Sequence, residues 1–248
     1  MAIHLIYFSG TGSTQKVVRF IGEQWEEPLL EYDLSKRDFS SHEFQQDELC
    51  IVGVPSFGGR VPTIAIQRLQ LLKGHQTPVI LVVTYGNRHY DDTFLELKDT
   101  LESLDFVCVG AMAVVCEHSI VHEYAKGRPN QQDYQQIQEL VNQLQNNLHP
   151  IDVPGHKPYK EFKGGLKPTV TSQCTKCGIC AKLCPVGAID LLHLDSTDEN
   201  CISCMRCVSV CPSQGRICDP QIVEATRIKL QKICTIDKPN ELIGGSTC

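Results

Sequence analysis

The stretch YFSGTGST, residues 7–14, ends a short apolar run and precedes a segment with helical spacing. A glycine-rich turn at a strand–helix junction can hold a phosphate on the first backbone N–H groups of the helix. Single positions rule out two such ligands. A nucleoside triphosphate loop needs Gly-Lys-Ser/Thr, whose lysine reaches the terminal phosphates. Here Ser13 follows Gly12, and Lys16 comes too late. A dinucleotide loop needs a third glycine for close helix packing, and Gln15 stands in its place. What remains is a turn without a cation, with Ser9, Thr11, Ser13 and Thr14 as hydroxyl donors around Gly10 and Gly12. Such a turn suits a terminal monoester phosphate, whose dianion the helix dipole favours.

Working outward, apolar runs recur at 3–8, 29–34, 49–54, 79–84 and 107–115. Helical stripes separate them: Val17, Val18, Ile21 and Trp25; Ile64, Leu69 and Leu72 after Pro62; Leu97, Leu101 and Leu104. A last stripe carries Tyr134, Ile137, Val141, Leu144 and Leu148. Strands that are apolar throughout and alternate with helices predict a parallel sheet covered on both faces. Residues 1–148 are therefore expected to form a doubly wound α/β domain with five strands. The opening MAIHLIYF has neither a basic n-region nor a small-residue cleavage site, so it reads as the first strand. No window approaches bilayer length, so no membrane span and a cytoplasmic location are expected.

Residues 149–173 contain four prolines and three glycines and read as a linker or wrapping segment. Beyond them the chain repeats itself, as CTKCGICAKLCP from 174 and CISCMRCVSVCP from 201. Both halves fit C-x2-C-x2-C-x3-C-P, with Cys174, Cys177, Cys180 and Cys184 in one and Cys201, Cys204, Cys207 and Cys211 in the other. A zinc site pairs one C-x2-C knuckle with a distant second pair. Three thiolates at successive three-residue steps instead fit one face of an iron–sulfur cubane, whose fourth ligand is distant. Of the remaining cysteines among the fourteen, Cys50, Cys108 and Cys116 lie in strand-like runs and read as buried structural thiols; Cys218, Cys234 and Cys248 are scattered.

The cysteine repeat resembles the bacterial two-cluster ferredoxins over residues 174–217. That resemblance implies a small α+β domain with crossed ligation. One [4Fe–4S] cluster would take Cys174, Cys177, Cys180 and Cys211; the other would take Cys201, Cys204, Cys207 and Cys184. VGAI after Pro185 follows the family, whereas SQGRI after Pro212 departs from it. The 7–14 turn, for its part, resembles the FMN-phosphate loop of flavodoxins, which implies a sheet of order 2-1-3-4-5. The flavin ring would then lie between PSFGGRVP (55–62) and TYGNRHYDD (84–92). The resemblance assigns Pro55, Ser56, Phe57, Gly58, Gly59, Tyr85, Gly86, Asn87 and Tyr90 to it, with Gly58–Gly59 near flavin N5. The whole chain resembles the flavodoxin–ferredoxin fusion proteins of anaerobic bacteria and archaea, with 218–248 as a C-terminal extension and a helix near 220–233. The segment EHSIVHEYAKGRPN (117–130) also looks like part of those fusions. In it His118, His122 and Arg128 either reach the flavin edge or serve their own loop.

Charge narrows the function. Residues 1–148 carry 11 Lys+Arg against 19 Asp+Glu, and the whole chain is at −6. No concentrated basic face is available for nucleic acid. Each bound cubane with its four thiolates adds about −2, which Lys157, Lys160, Lys163 and Lys167 either offset or leave alone as a solvated linker. The expected function is an electron relay between two [4Fe–4S] clusters and FMN, with redox partner proteins as donor and acceptor. The alternative is a ferredoxin-dependent flavin reductase acting on a quinone-like acceptor, with Tyr90, His89 or His118 as proton donor. No second dinucleotide fold is evident, which disfavours direct NAD(P)H oxidation. Redox sensing ranks last, since no DNA-binding element would transmit it. A homodimer that brings one subunit's cluster to the other's flavin stays open.

Overall fold

The computed structural model describes residues 2–162 and 165–243, so Lys163 and Cys248 lie outside the described residues. In chain order the first part comprises β1 (Ile3–Tyr7), α1 (Ser13–Glu23), β2 (Leu29–Asp33), β3 (His42–Glu43), β4 (Leu49–Pro55), α2 (Thr63–Leu69), β5 (Leu72–Lys73), β6 (Thr77–Tyr85), α3 (Thr93–Glu102), β7 (Phe106–Val115) and α4 (Gln131–Gln145). Then follow β8 (Thr169–Val170), α5 (Ile179–Lys182), α6 (Arg206–Ser209), β9 (Arg216–Ile217), α7 (Pro220–Cys234) and β10 (Glu241–Ile243).

The main sheet runs β2-β1-β4-β6-β7-β10. Its five parallel strands, taken in order of appearance, stand as 2-1-3-4-5, the doubly wound arrangement of a flavodoxin-like domain. Every residue of β1 is buried, as are nearly all of β4, β6 and β7. This burial follows from two apolar layers. On one face α2 and α3 bring Ala65, Leu69, Phe94, Leu97 and Leu101. On the other, α1 and α4 bring Val17, Val18, Ile21, Ile137, Val141 and Leu144.

Three details differ from the sequence reading. Leu72 belongs not to a helix but to β5, which pairs with β3 beside the main sheet. Trp25, Leu104 and Leu148 fall beyond the ends of α1, α3 and α4. The sixth strand of the sheet, β10, comes from the tail and lies antiparallel to β7.

The 149–162 segment wraps the first domain. Ile151 is buried and donates its N–H to the Cys108 carbonyl. Asp92 accepts backbone N–H groups from His156 at 2.9 Å and Lys160 at 2.6 Å. The cysteine module is a separate small core around Ala181, Ala188 and Ile189, closed by the antiparallel pair β8–β9. Three arginines join the two parts. Arg206 Nη1 donates to the Ser9 carbonyl at 3.0 Å and Arg68 Nη2 to the Pro185 carbonyl at 2.7 Å. Arg37 Nη2 reaches the Lys182 carbonyl at 3.3 Å. No helix among the described residues is long and apolar enough to cross a membrane.

Candidate functional site

Parallel strands leave their C-terminal ends open, and in doubly wound sheets ligands bind there. A cleft of about 510 Å³, including its open mouth, lies at this edge. Gly10, Thr11, Ser13 and Thr14 line it from the β1–α1 turn, and Pro55, Ser56 and Phe57 from the end of β4. Tyr85 and Gly86 come from β6; Cys116, Glu117, His118 and Ser119 follow β7; Cys204 comes from the cysteine module.

The turn has the shape its sequence suggests. Gly12, at φ +92°, is the N-cap of α1, a left-handed conformation that side chains avoid. No side chain caps the helix there, so its positive end is open to an anion. Ser9 lies beneath the turn, where its hydroxyl accepts the Gln15 N–H at 3.3 Å and its own N–H donates to Ser35 Oγ at 3.0 Å. Thr14 Oγ1 shares a hydrogen bond of 2.7 Å with Thr84 Oγ1. Two hydroxyls bring two protons and use one between them, so one is left to donate. Thr11 and Ser13 hydroxyls are 3.4 Å apart at the surface of the turn.

The loops proposed for a ring are used unevenly. Phe57 and Tyr85 line the cleft. Tyr90 stacks edge-on against Tyr85 at 5.4 Å, but its hydroxyl donates to Glu241 at 3.0 Å. Burial and that carboxylate push its phenol up to about 12. The Asn87 side chain is wholly buried and holds the tail: Nδ2 donates to the Cys234 and Ile236 carbonyls, and Oδ1 accepts the Lys238 N–H. Gly58 lies under the Phe162 ring of the wrap, and Gly59 against Asp91. His89 is largely exposed, pointing to Asp91.

Sequence reasoning set the ring loops after β4 and β6 and left His118, in the loop after β7, either at the flavin edge or serving its own loop. The structure lines the cleft with Cys116, Glu117, His118 and Ser119 of that loop. There Cys116 is a buried thiol pushed up to about 12 by desolvation. His118 Nδ1 accepts backbone N–H groups from Ile120 at 3.2 Å and Val121 at 3.0 Å, leaving its proton on Nε2. His122 instead contacts Glu117, and Arg128 contacts Asp133, so both serve their own surroundings.

In the cysteine module the eight thiols gather into two separate cavities, each about 330 Å³ with its mouth. Cys174, Cys177, Cys180 and Cys211 line one. Cys184, Cys201, Cys204 and Cys207 line the other. Each set thus takes three cysteines of one repeat half and the last cysteine of the other. Among the described residues no group of His, Cys, Asp and Glu is close enough to hold a single metal ion. Four thiols in each set, with no carboxylate among the lining residues, fit a sulfide-bridged cluster. The two sets differ in exposure. Cys177 is exposed, while Cys184 and Cys207 are buried. Desolvation pushes Cys204 up to about 12 and Cys207 up to about 11.

Cys204 lines both the inner cysteine cavity and the cleft. Its backbone lies against Gly10, where an added Cβ would stand 3.1 Å from the Cys204 carbonyl carbon and closer still to its oxygen. A glycine is needed here for close approach.

These features define a flavodoxin-like α/β domain joined to a ferredoxin-like iron–sulfur module, the build of an electron-transfer protein. Residues 173–217 match the family described as the 4Fe-4S dicluster domain. No curated protein matches the chain. Among solved structures it is similar to the rubredoxin oxygen:oxidoreductase of the anaerobe Desulfovibrio gigas. The identity is 16% over 59% of this chain and 36% of that one, with a TM-score of 0.41. It is also similar to flavodoxin 1 of Bacillus cereus, at 11% identity over 60% of this chain and 100% of that one, with a TM-score of 0.39. A flavodoxin of Streptococcus pneumonia TIGR4 shows 10% identity over 60% and 100%, with a TM-score of 0.42.

Proposed function

We propose that the chain relays electrons between an FMN in the cleft and two [4Fe–4S] clusters, one on each cysteine set. The observation that carries this reading is Cys204, which lines the inner cluster cavity and the cleft at once. When bound, the clusters exchange single electrons and the flavin takes one or two. The residues order the parts. The exposed Cys177 side faces outward to a redox partner protein, and the buried Cys184 and Cys207 keep water from the inner set. The uncapped α1 terminus with Thr11, Ser13 and the Thr14–Thr84 pair suits the FMN phosphate. Phe57 and Tyr85 flank the space for its ring.

An anaerobic preparation should contain about eight irons per chain and one FMN. Stepwise reductive titration should show both kinds of centre equilibrating within one chain. Cys204→Ser should lose about half of the iron and sulfide while the outer set stays filled. Zinc in place of iron, with no flavin, would overturn the relay.

A flavin reductase acting on a quinone-like acceptor is the second reading, and His118 favours it. Of the three proton donors considered, it alone lines the cleft. Burial, aided by the charges of His122 and Arg88, pushes its pKa down to about 4. The imidazole is therefore a neutral Nε2–H donor across the physiological range, and quinone turnover under this reading should not titrate near pH 6.5. Stability should. The unfolded histidine takes a proton near 6.5 and the folded one resists, so stability falls as pH drops from 6.5 to 4. The loss reaches about 3 kcal/mol at pH 4 at 1.36 kcal/mol per unit. Denaturation curves of His118→Gln should lack that slope. The same slope in both proteins would show that His118 is hydrated and charged.

A further inference from the structure

The SQGRI departure after Pro212 places Arg216 in β9, among the cysteines. The residue is only 2% exposed. Nη1 donates to the Leu194 carbonyl at 2.7 Å, and Nη2 to the Ser196 carbonyl at 3.2 Å and to Thr197 Oγ1. These partners are neutral. Nε is buried with no hydrogen-bond partner among the described residues. A buried guanidinium with neutral partners and an idle donor is costly unless negative charge arrives beside it.

That charge has an obvious source, because Arg216 stands between the two cysteine sets. It lines the outer cavity, and its backbone N–H approaches the Cys211 sulfur there. Its guanidinium approaches Cys207 of the inner set. Its positive charge also favours the thiolates of Cys180 in the outer set and Cys201 in the inner one.

We infer that Arg216 is a shared counter-charge for both clusters, a positioning and tuning residue that raises the reduction potential of each. This rests on the two-cluster reading above. Taking up one electron adds one negative charge to a cluster and moves no proton. A fixed cation within the low-dielectric module stabilises that product over the oxidised form. One arginine reaching both sets lifts the two potentials together, so the step between them stays close to what the clusters set themselves.

The test uses the anaerobic full-length holoprotein, with iron and sulfide counts and a mediated titration read by EPR, dithionite being the reductant. Arg216→Gln should keep about eight irons. At a fixed ambient potential, the reduced-to-oxidised ratio of both clusters should fall at least about tenfold, which is 59 mV for a one-electron couple. Arg216→Lys, which restores the charge but not the fork, should stay within about threefold of the parent on the same scale. Unchanged ratios in an iron-replete Gln variant overturn the inference, and so does a shift confined to one cluster. If the Gln variant loses iron, the Lys variant decides: parental ratios support the counter-charge, and a tenfold fall overturns it. Loss of iron in both would make Arg216 a clamp on residues 194–197 and likewise overturn it. A parent protein without iron–sulfur clusters would instead defeat the two-cluster reading itself, which the iron count reports separately.

Discussion

Gly10→Val should slow electron exchange between flavin and clusters at least several-fold in those molecules that carry both kinds of centre. The added side chain would strike the Cys204 backbone, which cannot rotate away as a flexible side chain could. Forcing extra carbon into a closed contact costs about 1–3 kcal/mol. At 1.4 kcal/mol per tenfold, the docked arrangement loses between about fivefold and a hundredfold of its population. The bonds from Arg206 to Ser9 and from Arg68 to Pro185 flank that contact, so they strain with it. Gly10 does not occupy the left-handed region, so the variant tests the contact and not backbone strain. Gly12→Ala is the complementary control. Its Cβ would meet nothing within 4 Å, but φ is +92°. It should therefore weaken FMN retention through strain in the phosphate turn, at about 1 kcal/mol, and leave exchange in flavin-loaded molecules unchanged. Flash reduction followed at flavin and iron–sulfur absorbances reads both. Parental exchange in a fully loaded Gly10→Val protein would show that electrons do not cross at Cys204.

Much of this architecture is legible in the sequence because its causes are local. Four of the five parallel strands are buried on both faces, the edge strand β2 being partly exposed. The eight cysteines fall in two repeat halves whose crossed sets the ferredoxin resemblance implies. The turn at 9–14 could be narrowed by Ser13 and Gln15 alone. What escaped has its cause far away in the chain. Glu241–Ile243 is three residues with no periodic signal, and it becomes a strand only because β7 offers an open edge. Asn87, in a loop that faces the ligand edge, reads as a ring contact. Its amide instead meets backbone groups some 150 residues later. The meeting of Gly10 with Cys204 likewise has no local signature, since each residue already has a sufficient reason in its own motif. Leu72 is a plainer case: it continues the stripe of α2, but the helix stops at Leu69 and the residue pairs as a strand.

The tail that those local signals missed is also held by a largely buried ion pair, Arg128 with Asp133, and breaking it should be the costliest single change to stability. Arg128 Nε donates to both Asp133 oxygens, at 3.1 and 3.0 Å, and Arg128 Nη1 to the Lys238 carbonyl at 2.6 Å. Asp133 also accepts the Asn130 N–H, completing the capping box of α4, and a bond of 3.0 Å from Asn240 Nδ2. Asn240 in turn accepts the Val115 N–H at 2.9 Å, fixing the start of β10 against β7. Asp133→Ala removes the cap and strands the nearly buried guanidinium, for a loss of about 3–5 kcal/mol. Measured by urea midpoint, this is a large part of a typical domain's stability. The tail should also become open to protease near residues 235–240, ahead of global unfolding. Replacing both partners, as Arg128→Met with Asp133→Leu, removes the charge that would be left unpaired. It should recover more than half of the loss, because the penalty belongs to the unpaired charge and not to the absent bridge. Acid should act like the single variant. Burial alone would raise the Asp133 carboxyl, but Arg128, the Asn130 N–H and Asn240 hold it below its ordinary value. Its contribution is therefore complete above the ordinary carboxylate range and disappears only as pH falls through the lowered native value. A loss under about 1 kcal/mol for Asp133→Ala, within the range of a solvated surface pair, would mean that the tail is held by Asn87 and Tyr90 instead.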